Sequence, residues 1–117
     1  MSYVDGFVAA VPTAGKDAFL AHAKMAAEIF KECGALKIVE CWGDDVPDGK
    51  LTSFPMAVKC GEEETVVFSW IVWPSKEARD SGMAKAMADA RFDPASCDIP
   101  FDGKRVIFGG FNVLMEV

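Results

Sequence analysis

Thr65-Val66-Val67-Phe68-Ser69-Trp70-Ile71-Val72-Trp73 is the stretch on which the fold turns. Its β-branched and aromatic residues favour a pleated strand, and Pro74 ends it because proline has no N–H to give to a ladder. In a strand, Phe68, Trp70 and Val72 point one way while Val67, Ile71 and Trp73 point the other. A sheet with one solvated face alternates apolar and polar residues, so this strand asks for cover on both faces. Helices from the same chain can cover one face. The simplest cover for the other is the same sheet of a second copy, so the expected assembly is a C2 homodimer.

The flanking segments supply the remaining elements. Tyr3 to Val11 reads as a strand closed by Pro12, and Thr13 is placed to cap a helix from Ala14 to Cys33. That helix gathers Phe19, Ala23, Ala26, Phe30 and Cys33 on one face, opposite Asp17, Lys24, Glu28 and Lys31, and Gly34 supplies its left-handed stop. Leu36 to Trp42 is a second strand, followed by the turn sequence Gly43-Asp44-Asp45-Val46-Pro47-Asp48-Gly49. A short strand over Pro55 to Cys60 and a hairpin turn at Glu62-Glu63-Glu64 then lead into the decisive strand. Ser75 caps a second helix running to Asp89, with Met83, Ala86, Met87 and Ala90 turned inward. An irregular stretch from Arg91 to Gly103 precedes a last strand, Lys104 to Val117, in which Gly109-Gly110 signals a bulge or a close backbone approach. The order of elements is that of a split βαβ, ferredoxin-like α+β domain spanning residues 1–117.

Composition narrows the function classes. The 117 residues carry 12 Lys+Arg against 18 Asp+Glu, a net charge of −6, and are 51% apolar. Such a chain repels polyphosphate, so no nucleic-acid partner is expected. No apolar run approaches the ~20 residues a membrane helix needs, and Met1-Ser2-Tyr3-Val4-Asp5 is unlike a signal peptide, so the expected location is cytoplasmic with no membrane partner. Cys33, Cys41, Cys60 and Cys97 form no Cys-x-x-Cys pair and match no zinc-finger spacing. Cys33 and Cys41 read as small core hydrophobes, while a reactive thiol is the alternative at Cys60 and Cys97. Gly15-Lys16 lacks the glycine spacing of a phosphate-binding loop.

Five segments carry a resemblance: Val4-Asp5-Gly6-Phe7-Val8, Gly43-Asp44-Asp45-Val46-Pro47, Thr52-Ser53-Phe54-Pro55, Thr65 to Ile71, and Pro100-Phe101-Asp102-Gly103-Lys104-Arg105. Together they resemble the YbaA-like bacterial proteins, the domain-of-unknown-function family DUF1428. The resemblance implies the dimeric α+β barrel superfamily, in which two ferredoxin-like subunits pack sheet to sheet. That superfamily includes cofactor-free monooxygenases, haem-degrading enzymes, muconolactone isomerases, chlorite dismutases and stress-induced dimers, so the fold alone selects no activity. The segment from Arg91 to Cys97 departs most from the family pattern.

Several residues are candidates for chemistry. Asp5 shares a strand face with Tyr3, Phe7 and Ala9, and a buried carboxylate needs a partner. Arg79, on the inward face of the second helix, is the natural one. Glu40, between Ile38 and Trp42, is a second inward acid. If these converge in an apolar cleft, desolvation lifts one carboxylate toward general-base range. The alternative has Arg79 snorkelling to solvent and Asp5 at a sheet edge or dimer rim. His22, beside Ala18 and Ile29, is a candidate ligand or base; the superfamily resemblance adds axial haem ligation as a known mode, against a purely structural role. Lys104 and Arg105 offer two cations for a carboxylate or phosphate, or simply a turn into a strand. Phe68 and Trp70, with Trp42, Trp73 and nine Phe residues, are candidates to line an aromatic pocket between sheet and helices. Asp44, Asp45 and Asp48 read as a solvated turn, and no metal site or cofactor is expected. The leading expectation is a homodimer binding a small apolar or aromatic molecule. The rival is a cofactor-independent monooxygenase or isomerase using Asp5, Arg79 and His22. A structural dimer without a pocket is the third reading.

Overall fold

A computed structural model describes residues 2–117. The elements are β1 (Tyr3–Pro12), α1 (Lys16–Glu32), β2 (Lys37–Trp42), α2 (Phe54–Ala57), β3 (Glu64–Trp73), α3 (Lys76–Met87) and β4 (Ile107–Asn112). The four strands form one antiparallel sheet in the order β2-β3-β1-β4, as a ferredoxin-like α+β fold requires. β1 and β3 are its spine, paired without interruption from Tyr3↔Trp73 to Pro12↔Glu64.

The period-two alternation divides the sheet into two unlike faces. On one, Ala9, Val11 and Val67 pack with Phe19 and Ala23 of α1, flanked by Trp42, Phe101 and Val106. Further along the same face Tyr3, Ile71, Trp73 and Ala35 pack with Phe30 of α1 and Met83 of α3. Both long helices therefore lie on this side. On the other side Val8, Ala10 and Val66 are covered at one end by Val58, which follows α2. Beyond that end no element of the chain covers the second face.

Several local expectations are corrected. Thr13 does not cap α1: its hydroxyl is 2.7 Å from that of Thr65 and its N–H donates to the Glu63 carbonyl, so it clasps the exit of β1 to the start of β3. Residues 13–15 form a 3-10 turn and α1 begins at Lys16. Pro55 to Cys60 is not a strand. Ser53 Oγ accepts from the Met56 N–H at 3.1 Å and Pro55 occupies the first turn, which makes the segment a short helix. Without a strand before it, Glu62-Glu63-Glu64 is a turn between α2 and β3 rather than a hairpin. Ile29, placed on the flank of the apolar arc, is fully buried. Met87 and Ala90 face solvent, because α3 stops at Met87 and Asp89 caps a separate 3-10 turn. Lys104 and Arg105 lie in a 3-10 turn, so the last strand starts at Ile107, and it ends at Asn112 where its partner β1 runs out. The register across Gly109-Gly110 is unbroken, which excludes a bulge and leaves the close approach: a Cβ on Gly110 would strike the Tyr3 hydroxyl and the Arg79 guanidinium. Gly34 stops α1 with φ +110, as expected. Ser75 caps α3 through Ala78.

Gly82 is where α3 touches the sheet. A Cβ there would overlap the Trp73 ring and the Cys33 carbonyl, both fixed. Helix propensity favours Ala over Gly by about 1 kcal/mol, but overpacking costs about 1–3 kcal/mol. Gly82→Ala is expected to destabilise the fold by about 2 kcal/mol in urea unfolding; a stabilised variant would mean that α3 has room to move off Trp73.

Candidate functional site

The structure brings Asp5 and Arg79 together. Asp5 is 6% exposed on the helix side of β1. Arg79, in the first turns of α3, donates from Nε to both Asp5 oxygens at 3.2 Å, and the Trp73 indole N–H donates to Oδ2 at 3.0 Å. The rest of the guanidinium is equally engaged: Nη2 donates to the Tyr3 hydroxyl at 3.3 Å, Nη1 to Asp80 at 2.7 Å, and the group lies 4.9 Å over the Tyr3 ring. Lys76 holds the far side of Asp80. Among the described residues no buried side-chain polar atom is left without a partner. A carboxylate so enclosed ties β1, β3 and α3 together.

Glu40 and His22 stand apart from that pair. Glu40 shares the helix-side face but lies across β3, opposite Ser69. Its Cα is about 12 Å from that of Asp5, from strand spacing and rise. Glu40 is exposed rather than inward, because β2 is an edge strand; partial desolvation against the sheet raises its carboxyl above the ordinary value, and a hydrogen bond with Ser69 partly offsets this. His22 meets Phe101 edge-on at 6.1 Å, beside the Phe19, Trp42 and Phe101 cluster at the other end of the sheet. Burial lowers its pKa, so the neutral ring is favoured near neutral pH. Of the Asp5, Arg79 and Glu40 group, the first two meet and Glu40 does not join them.

Arg105 is already occupied. It makes a forked pair with Glu64 at 2.7 and 2.8 Å, and also donates to Asp102 at 3.0 Å and to the Lys59 carbonyl at 2.8 Å. These bonds, with the Gly61 N–H, hold Glu64 well below its ordinary range, at about 2. Lys104 is exposed in the adjoining turn. Arg105 therefore braces the approach to β4, and the two cations do not present a paired anion site. All four cysteines are free, and burial, reinforced by Glu64, pushes the Cys60 thiol up, away from a reactive thiolate. Among the described residues no three His, Cys, Asp or Glu side chains are grouped to hold a metal ion.

Phe68 and Trp70 do line a hollow, on the face away from the helices and not between sheet and helices, as the alternation of β3 dictates. It has a volume of about 740 Å³ and is walled by Phe68, Trp70, Ile107 and Phe111. Its floor is Gly6 and Gly109, directly paired across β1 and β4, with the Phe111 ring over both. Phe54 of α2 meets Phe68 edge-on at 5.7 Å, and Phe68 meets Trp70 at 5.7 Å. The floor was not read from sequence, because only the β1–β4 register sets Gly6 beside Gly109.

Four antiparallel strands in this order, with both long helices on one face, define a ferredoxin-like α+β protein. The solved structure of a dimeric ferredoxin-like protein from an uncultured marine organism has the same fold, with a TM-score of 0.66 at 13% identity over 99% of this chain and 98% of that one. The family model described as protein of unknown function, DUF1428, matches residues 2–103, and the chain belongs to that family. Its relatives include the proteins called YbaA of Escherichia coli K12 and of Shigella flexneri, each 58% identical over 116 residues and matched over 99% of both chains. No helix among the described residues is long and apolar enough to cross a membrane.

Two measurements test the polar ties. Asp5→Asn leaves the Arg79 cation, whose side chain is 24% exposed, without its buried counter-charge, and is expected to cost about 3 kcal/mol in urea unfolding; a loss under about 1 kcal/mol would mean that solvent already screens the pair. Glu64 has a folded-state pKa of about 2, below its ordinary 4.5. Its contribution is present above the unfolded value and is lost as pH falls through that window toward 2. Glu64→Gln is therefore expected to flatten the acid side of the urea-midpoint profile relative to the parent chain, and an unchanged slope would remove Glu64 from the acid response.

Proposed function

We propose that the chain works as a homodimer joined through the sheet face away from its two long helices, and that the hollow on that face binds a small apolar or aromatic molecule. The observation that carries the reading is the glycine-floored, aromatic-walled hollow on a face that only α2 covers, at one end. Phe111 is 62% and Phe68 44% exposed beside it. The surface budget agrees: the chain exposes 7793 Å², against about 6,200 Å² for a folded monomer of this mass, an excess of about 1,600 Å². The radius of gyration is 14.7 Å with extents of 39 × 38 × 21 Å, where a compact chain of this length has about 13 Å. The molecule is a plate one sheet and one helix layer thick. Closing two plates sheet to sheet would cover more than the ~800 Å² per partner of an ordinary stable interface. The dimeric description of the ferredoxin-like relative in fold supports this assembly.

A facing pair of hollows would leave room suited to a one- or two-ring molecule held by stacking and apolar contact. The oxygenase or isomerase alternative finds no converging acid and base to draw on. Four unpaired thiols suit a reducing compartment, and the proposed setting is the cytoplasm.

Sedimentation equilibrium at micromolar concentration is expected to give a dimer, and Trp70→Glu is expected to weaken it on the order of 100-fold by placing a charge in the joined face. A monomeric parent chain would overturn the assembly. For the hollow, 1-naphthol is expected to raise the melting temperature of the parent chain. Gly6→Leu, whose Cβ meets only the Phe111 ring at 3.7 Å, is expected to remove that rise by filling the floor. A rise retained in Gly6→Leu, or absent from the parent chain, would overturn the ligand site.

A further inference from the structure

Among the described residues, Leu114 to Val117 join no backbone pairing. β4 follows β1 down to Asn112↔Tyr3, the Val113 N–H donates to the Ser2 carbonyl at 3.3 Å, and the backbone pairing stops there. Val113 to Val117 then spans up to about 16 Å at a strand's rise. Leu114 is 95%, Met115 77% and Val117 fully exposed. Four of these five residues are apolar, and Val113 and Glu116 border the hollow, so the arm continues the uncovered face.

A second apolar feature stands at the opposite end of that face. The loop entering α2 and α2 itself carry Leu51, fully exposed, with Phe54 and Met56 nearly half exposed. Phe54 is braced on Phe68 and Ser53 caps the helix, so the wall is held firmly. Arm and wall stand at opposite ends of the face in one copy: the arm leaves from the Tyr3 and Trp73 end, the wall rises beside Phe68 and Cys41. A two-fold axis lying between facing sheets and perpendicular to the line from arm to wall would bring one copy's arm end over the other's wall end, twice by symmetry. Charge favours the same match. Lys50 adjoins Leu51, Glu116 adjoins Met115, and neither joins an ion pair among the described residues.

We propose that the arm Val113–Val117 of each protomer packs on the Leu51, Phe54 and Met56 wall of a second copy of this chain and latches the dimer. This rests on the homodimer reading and adds to it a defined contact. The test is a double-mutant cycle on the dimer dissociation constant by sedimentation equilibrium, using Leu51→Ala, Met115→Ala and the pair, with circular dichroism to verify folding. Both side chains are on the surface, so the monomer fold is expected to persist. Each single change is expected to raise the constant about 10-fold, and the pair by clearly less than the product of the two, because both remove one contact. A full product would mean that arm and wall do not touch each other, and overturns the latch. Unchanged single variants alongside a dimeric parent chain also overturn the latch while leaving the sheet-face dimer standing, whereas a monomeric parent chain overturns the dimer itself.

Discussion

The pairing of β1 with β3 along the full length of both strands, apolar on both faces, is the constraint on which the rest depends. Its helix side is closed by α1 and α3, and Gly82 lets α3 come down onto Trp73. Its other side is closed only at the α2 end. Both long helices lie on one face of the sheet, so the chain folds to a plate and leaves apolar surface exposed on the other.

The polar groups that looked most like catalytic machinery serve that plate at its two ends. At one, Asp5, Arg79, Trp73 and Tyr3 fasten α3 to the sheet; at the other, Arg105, Glu64 and Asp102 fasten the approach to β4 onto the turn before β3. In both ties a guanidinium fork satisfies a carboxylate from a distant part of the chain, which fixes geometry as well as charge. Gly110 belongs to the first tie, since any side chain there would displace the arginine from the tyrosine.

Residues whose environment is set by their own element were legible in sequence. The two-faced character of β3, the burial of Asp5 and its pairing with Arg79 follow from strand and helix periods alone. Residues whose role depends on register or on tertiary approach were not. Thr13 reads as a helix cap until Thr65 is beside it, and Ser53 reads as loop until Met56 folds back onto its hydroxyl. Arg105 reads as a free cation because its partner Glu64 lies 41 residues away in an acidic run. His22 is partly buried beside the core as its helix face suggests, whereas Glu40, read as inward from its alternation with Ile38 and Trp42, is exposed because β2 lies at the sheet edge, which no local pattern reveals.

The pairing of Gly6 with Gly109 has no explanation in the stability of one chain. Glycine weakens a strand interior and gives up packing, yet neither residue has a positive φ that would demand it. Room is not lacking either: a Cβ at either position would meet only the Phe111 ring at ordinary contact distance. What the pair does is lower the floor beside Trp70, under the Phe111 ring, so that aromatic walls stand around a recess on the face the two long helices leave open. Two flat apolar sheets would pack face to face without such a recess. On the proposed reading the recess, built at a cost to the strands, is where something enters, and its apolar lining would set what that is: an apolar side chain of a facing copy at its rim and an apolar or aromatic guest at its floor.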